Sequence, residues 1–160
     1  MDSSDRRGLR AHIGRLRSSR ARDQRGAIAV EFALIVPILL LLVLGILEFG
    51  LAYHSWDGTQ NAAREGARLG AVSPNEAEIE ARVRGTTSFL DQAQLDVTIE
   101  CGTTGGVFAA CPASADWEAG DIVRVTVDYG YDFITPLPNF VGLGAQMEMQ
   151  SVAEARFEGV

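Results

Sequence analysis

AIAVEFALIVPILLLLVLGIL, from Ala27 to Leu47, decides how this chain is built. These twenty-one residues contain one charge, Glu31. As a helix rising about 1.5 Å per residue, the run spans roughly 30 Å, the thickness of a bilayer's hydrocarbon core. It reads as a membrane anchor. The core of a cleaved secretory signal would be about 7–15 residues long and end at a small-x-small site. This run is longer and ends in Glu48-Phe49-Gly50, so the expectation is an anchor that is retained.

The run begins directly after Gly26, and Glu31 is the fifth residue beyond that glycine. A carboxylate inside an apolar span is costly and usually functional. Two readings stand side by side. Glu31 lies about a turn and a half into the run, so it can snorkel toward nearby headgroups. Alternatively, cleavage between Gly26 and Ala27 creates a new amino group on Ala27, and Glu31 pairs with such an amine on a neighbouring subunit.

The net charge of -7 hides an asymmetry. Residues 1–26 hold eight arginines against Asp2, Asp5 and Asp23, a balance of +5. Residues 27–160 hold six arginines against eighteen acids, a balance of -12. Basic flanks stay on the cytoplasmic side of a span. The expected organisation is a basic cytoplasmic leader (1–26), a transmembrane anchor (27–48) and an extracytoplasmic domain (49–160), in a single-pass protein of the cell membrane. The arginine-rich tail could also be read as a nucleic-acid arm. It has no aromatic residue and abuts the span, which favours contact with lipid headgroups over nucleic acid.

Helical periodicity continues past the anchor. Phe49, Tyr53 and Trp56 recur at spacings of four and three, and Ala63, Gly66, Ala67 and Gly70 follow at i, i+3, i+4 and i+7. Tyr53 and Trp56 fall where an aromatic belt sits at the headgroups. Asp57-Gly58 marks a potential kink or break. The small residues allow close approach, in ordinary core packing or in an oligomer seam. Ser73-Pro74-Asn75-Glu76 then predicts a second helix over 74–84, with Ser73 as cap, Pro74 at the first position and Ile79 and Val83 facing inward.

The remainder alternates with period two. Leu95, Val97, Ile99 and Cys101 share one face of a first strand. Val123, Val125, Val127, Tyr129, Tyr131 and Phe133 share one face of a second. Met147, Met149, Ala153, Ala155 and Phe157 share one face of a third. Such alternation describes strands with one buried and one wet face. Glycine-rich residues 102–106 and proline-rich 136–138 connect them, which favours antiparallel pairing. The fold class is therefore α+β: a long helix, half anchor and half packed on a small antiparallel sheet of about three strands.

Few residues invite chemistry. Cys101 and Cys111 are the only cysteines. On the non-cytoplasmic side, where disulfides persist, a bond is favoured over two free thiols. One cysteine pair without a nearby histidine does not complete a metal site. The two histidines, His12 in the leader and His54 near the membrane surface, do not suit a catalytic triad. The strand acids read as a solvated face. No enzyme activity, cofactor or metal is expected.

Several segments resemble a known family. Arg25-Gly26 followed by AIAVE resembles the processing site of type IV prepilin-like proteins. VEFALIVPILLLLVLGILEFG, with Pro37 and its acid-Phe-Gly close, resembles the anchor of TadE-like proteins, pseudopilin-like components of tight-adherence (Flp) pilus systems. AAREGARLGA (62–71), with Arg64 and Arg68, resembles that family's small-residue helix. VTVDYGYDFITPLPNFVGLG and Arg156-Phe-Glu158 resemble its closing strands and loop. Major Flp pilins carry Glu-Tyr where this chain has Glu31-Phe32, and they are little more than the helix. Both departures point to a minor pseudopilin or assembly component. The resemblance implies a type IV pilin-like outline and a non-enzymatic part of Tad pilus assembly that supports adhesion or secretion. Its partners would be the cytoplasmic membrane, other pilin-like or Tad subunits and a prepilin peptidase. The competing expectation is an anchored envelope or surface binding protein, using its sheet or the apolar loop Leu137–Leu143, without a pilus.

Overall fold

The computed structural model describes residues 5–113, 116–140, 142 and 144–159, with side chains from Gly26 onward except those of Leu137 and Phe140. The side chains of the leader arginines and of His12 lie outside this description, as do Val141 and Leu143 of the apolar loop.

Helix α1 runs from Asp5 to Gly70, 66 residues. The chain divides into two compact units between Gly45 and Ile46. In the first, the side chains from Ile28 to Leu44 are nearly all exposed, Leu after Leu. Among the described residues α1 is the one helix long and apolar enough to cross a membrane. Pro37 lies inside it. Its missing N–H is tolerated more readily in a membrane helix than in a soluble one, because neighbouring groups re-satisfy the freed carbonyl.

The second unit starts at Ile46. It continues with α2 (Glu76–Thr86), a 3₁₀ turn (Gln92–Gln94), β1 (Leu95–Gly102), β2 (Ala109–Ala110), β3 (Ile122–Asp132), the short α3 (Leu137–Phe140) and β4 (Gln146–Arg156). The sheet order is β2-β1-β3-β4, antiparallel throughout. The α+β outline is as expected, but the sheet has four strands, not three. The extra one is two residues long. It arises where Glu100 and Cys101 pair with Ala110 and Ala109, too short for any period to register in sequence.

β3 is the central strand of the packed face. Val123, Val125 and Val127 are fully buried, with Tyr129 and Tyr131 beside them, and they meet Ile79 and Val83 of α2. The other face of the sheet is polar. Arg124 stands in register between Glu100 and Glu154. Its Nη2 lies 2.7 Å from Glu154 Oε1, and its guanidinium covers the Phe108 ring at 3.4 Å.

Three local expectations are corrected. α1 passes through Asp57-Gly58 without a break. Gly58 serves close approach instead, since a Cβ there would lie 2.5 Å from Phe89 Cζ. α2 is capped by Asn75 rather than Ser73. The Asn75 side-chain oxygen accepts from the amides of Ala77 and Glu78, so the helix starts at Glu76 and runs to Thr86. Finally, the apolar stripe expected to run from Phe49, Tyr53 and Trp56 into Ala63, Gly66, Ala67 and Gly70 is buried only in its second half. Phe49 is 75% exposed while Ala63 and Gly70 are buried. Phe49 lies five full turns before buried Ala67, on the same side of the helix, so position along α1 rather than helical phase decides which of these residues is covered.

Candidate functional site

The face of α1 that meets the sheet is Glu48, Ala52, Ser55, Thr59, Ala62, Ala63, Gly66, Ala67 and Gly70, all buried. Spacings of three and four keep it on one side over six turns. Its far end is a close-packed seam. A Cβ on Gly66 would lie 2.7 Å from Val83 Cγ2 and 3.2 Å from Val125 Cγ1. One on Gly70 would lie 2.9 Å from Val123 Cγ1. Ala63, Gly66, Ala67 and Gly70 are thus used for packing within this chain. In the middle, the hydroxyls of Thr59 and Ser151 share a buried hydrogen bond of 2.9 Å. The Thr59 hydroxyl also donates to the Trp56 carbonyl at 2.9 Å, so the pairing chiefly satisfies Ser151, which would be costly alone.

At the near end stands the residue that dominates the seam. Glu48 directly follows the apolar run, yet it is 6% exposed. Tyr131 Oη donates to its Oε1 at 3.2 Å. The amide of Ile134 donates to the same oxygen at 2.9 Å, and the amide of Thr135 donates to Oε2 at 2.9 Å. A buried carboxylate is tolerable only when hydrogen-bonded, and here both oxygens are engaged. The Tyr131 phenol is pushed up to about 12, by its burial first and by the Glu48 charge second. Tyr131 in turn packs edge-on against Phe133 at 5.6 Å. Chemically this is a clamp: a carboxylate on α1 holds the start of the β3–β4 connection. Apolar periodicity does not reveal it. The available signal was an acid in phase with Ala52, Ser55 and Thr59.

Gly26, Ala27 and Glu31 all lie exposed on α1, and the helix continues through the 26–27 bond. His54 is exposed and stacks on Phe89 with ring centroids 4.8 Å apart. Cys101 and Cys111 are bonded, with Cα atoms 4.7 Å apart, and tie the β1–β2 hairpin to the segment that follows it. Trp117, for which the sequence suggested no role, is buried there. Its Nε1 donates to the Pro112 carbonyl at 3.1 Å and its ring meets Phe157 edge-on. Among the described residues no three His, Cys, Asp or Glu side chains converge as a metal site. A surface hollow lies between Leu69 and the Glu78–Thr86 side of α2, and neither histidine lines it.

No curated protein and no solved structure matches the chain. A family model does match, over the stretch that holds both the exposed apolar helix and nearly all of the buried seam, Glu48 included: residues 26–68 are similar to the TadE-like protein family.

Proposed function

We propose that this chain is a non-enzymatic, membrane-anchored, pseudopilin-like component of Tad/Flp pilus assembly. The observation that carries the reading is the family match over 26–68, which joins the apolar helix to the glycine-alanine seam. The charge balance of +5 before the span and -12 after it supports a cytoplasmic amino terminus with residues from about Leu51 outside. The Cys101–Cys111 bond fits an oxidising compartment. The leader then comprises residues 1–26, the anchor 27–48 and the extracytoplasmic domain 49–160. Other pilin-like or Tad subunits are its partners, and adhesion or secretion is the process served.

Processing between Gly26 and Ala27 by a prepilin peptidase, followed by pairing of Glu31 with the new Ala27 amine of a neighbour, belongs to the same reading. Mass spectrometry of the membrane form, together with a pilus assembly assay, tests it. Wild type should lose residues 1–26, Gly26→Leu should retain them, and Glu31→Ala should be cut but assemble poorly. An intact amino terminus in wild type together with full assembly by Glu31→Ala removes both roles. Thiol labelling of Ser3→Cys from outside intact cells would reverse the orientation.

A further inference from the structure

The β3–β4 connection is unlike the rest of the domain. Residues 133–145, FITPLPNFVGLGA, carry no charge, although residues 27–160 as a whole carry -12. The ends of this loop are tied together, with the Phe133 amide donating to the Ala145 carbonyl at 3.1 Å. Its first residues are tied to Glu48, through the amides of Ile134 and Thr135. The Ile134 side chain is 72% exposed, and Pro136 is exposed beside it.

The level at which this happens matters. Glu48 is the residue immediately after the apolar run Ala27–Leu47, which is about as long as a hydrocarbon core is thick. Ile46, Leu47 and Phe49 around it are exposed. Tyr53 and Trp56, also exposed, lie one and two turns further along α1, at the headgroup depth such aromatics prefer. The clamp therefore fixes Ile134 at the inner edge of the interfacial layer, beside the point where α1 leaves the hydrocarbon. An isoleucine held there is buried in lipid at no further ordering cost, because Glu48 has already fixed its backbone.

We propose that the Glu48-held start of the connection, Ile134 to Pro136, is a second membrane contact. Ile134 beds into the interface of the leaflet from which α1 emerges, so the domain touches the bilayer at two places rather than hanging from a single helix. This rests on α1 spanning a bilayer.

The test is the full-length chain in phosphatidylcholine–phosphatidylglycerol vesicles, spin-labelled at one engineered cysteine at a time. The native cysteines are bonded to each other and do not compete for label. Sites are Ile134→Cys, Leu40→Cys within the span, and Val107→Cys, 89% exposed in the β1–β2 turn at the opposite end of the sheet. Relaxation by oxygen, which concentrates in lipid, is compared with relaxation by a water-soluble nickel chelate. Ile134→Cys should favour oxygen, as Leu40→Cys does, while Val107→Cys favours nickel. Ile134→Cys behaving like Val107→Cys while Leu40→Cys favours oxygen overturns the proposal and leaves the anchor standing. Protection of Ile134→Cys from both reagents means that protein covers the loop, which also overturns it. A nickel-accessible Leu40→Cys removes the anchor itself.

Discussion

Between Ala27 and Leu47, α1 exposes leucine, isoleucine and valine. Between Glu48 and Gly70 it buries alanine, glycine, threonine, serine and a carboxylate. In water the second pattern would be the weaker one, because small side chains remove little apolar area. Here the small residues are what let a sheet approach the helix backbone, so the bulk comes from Val83, Val123 and Val125 instead. Each acid follows its surroundings. Glu31 is exposed, whereas Glu48 is enclosed with three donors. Glycines differ likewise: Gly45 and Gly50 face open space, Gly66 and Gly70 face valines.

The contrast between the acids should give the largest effect. Glu48→Ala strips the acceptor from two amides and a buried phenol, and should destabilise the sheet unit by about 3 kcal/mol or more. Glu31→Ala should leave its unfolding unchanged. Thermal unfolding in detergent, with hydrogen exchange at the Ile134 and Thr135 amides, reads both. Equal behaviour of the two variants would mean that burial of Glu48 does not matter. Second, replacing Cys101 and Cys111 by serine should cost roughly 2–3 kcal/mol for a loop this short. Unfolding midpoints with and without reductant should show the same loss in wild type and none in the double variant.

Third, the glycines should separate by region. Gly66→Ala forces a methyl group against Val83 and Val125. Overpacking of about 1–3 kcal/mol exceeds the roughly 1 kcal/mol of helix propensity that alanine adds. Gly45→Ala meets nothing and should leave the midpoint of the sheet unit where it was. A stabilised Gly66→Ala would show that the seam is looser than it stands. The smallest effect belongs to Tyr131→Phe, about 1 kcal/mol. Its signature is in the pH dependence. The folded phenol ionises near 12, above the ordinary value of 10.0, so its contribution is complete below pH 10 and fades as pH rises through 12. Wild type should lose stability across that window more steeply than Tyr131→Phe does.

How much of this was readable depended on what each residue type advertises. β3 was legible because valines and tyrosines alternate with polar residues, and burial follows that alternation; β1 and β4 were legible as strands, although in β4 Met147 is exposed while Ser151 is buried. The disulfide was legible from two cysteines alone. The clamp was not. Its ligands are two backbone amides and a phenol 83 to 87 residues away from Glu48, and amides carry no sequence signal. The buried face of α1 was partly hidden as well. Its polar members Glu48, Ser55 and Thr59 do not count in an apolar period, while exposed Phe49 and Trp56 do. In α2, Ser73 and Asn75 are both competent caps. The choice fell to Asn75, while the Ser73 hydroxyl went to the Glu78 carboxylate at 2.9 Å.

The seam also has a mechanical meaning. Glu48 meets Tyr131, Thr59 meets Ser151, Gly66 meets Val125 and Gly70 meets Val123. Progress up the helix is therefore matched by progress down β3 and its neighbour, over about 33 Å of helix rise. A pull along the helix axis strains all four levels at once, in shear. A pull across the axis strains them one after another, like a strip being peeled. The same contacts thus make a joint that resists tension along α1 far better than prying from the side.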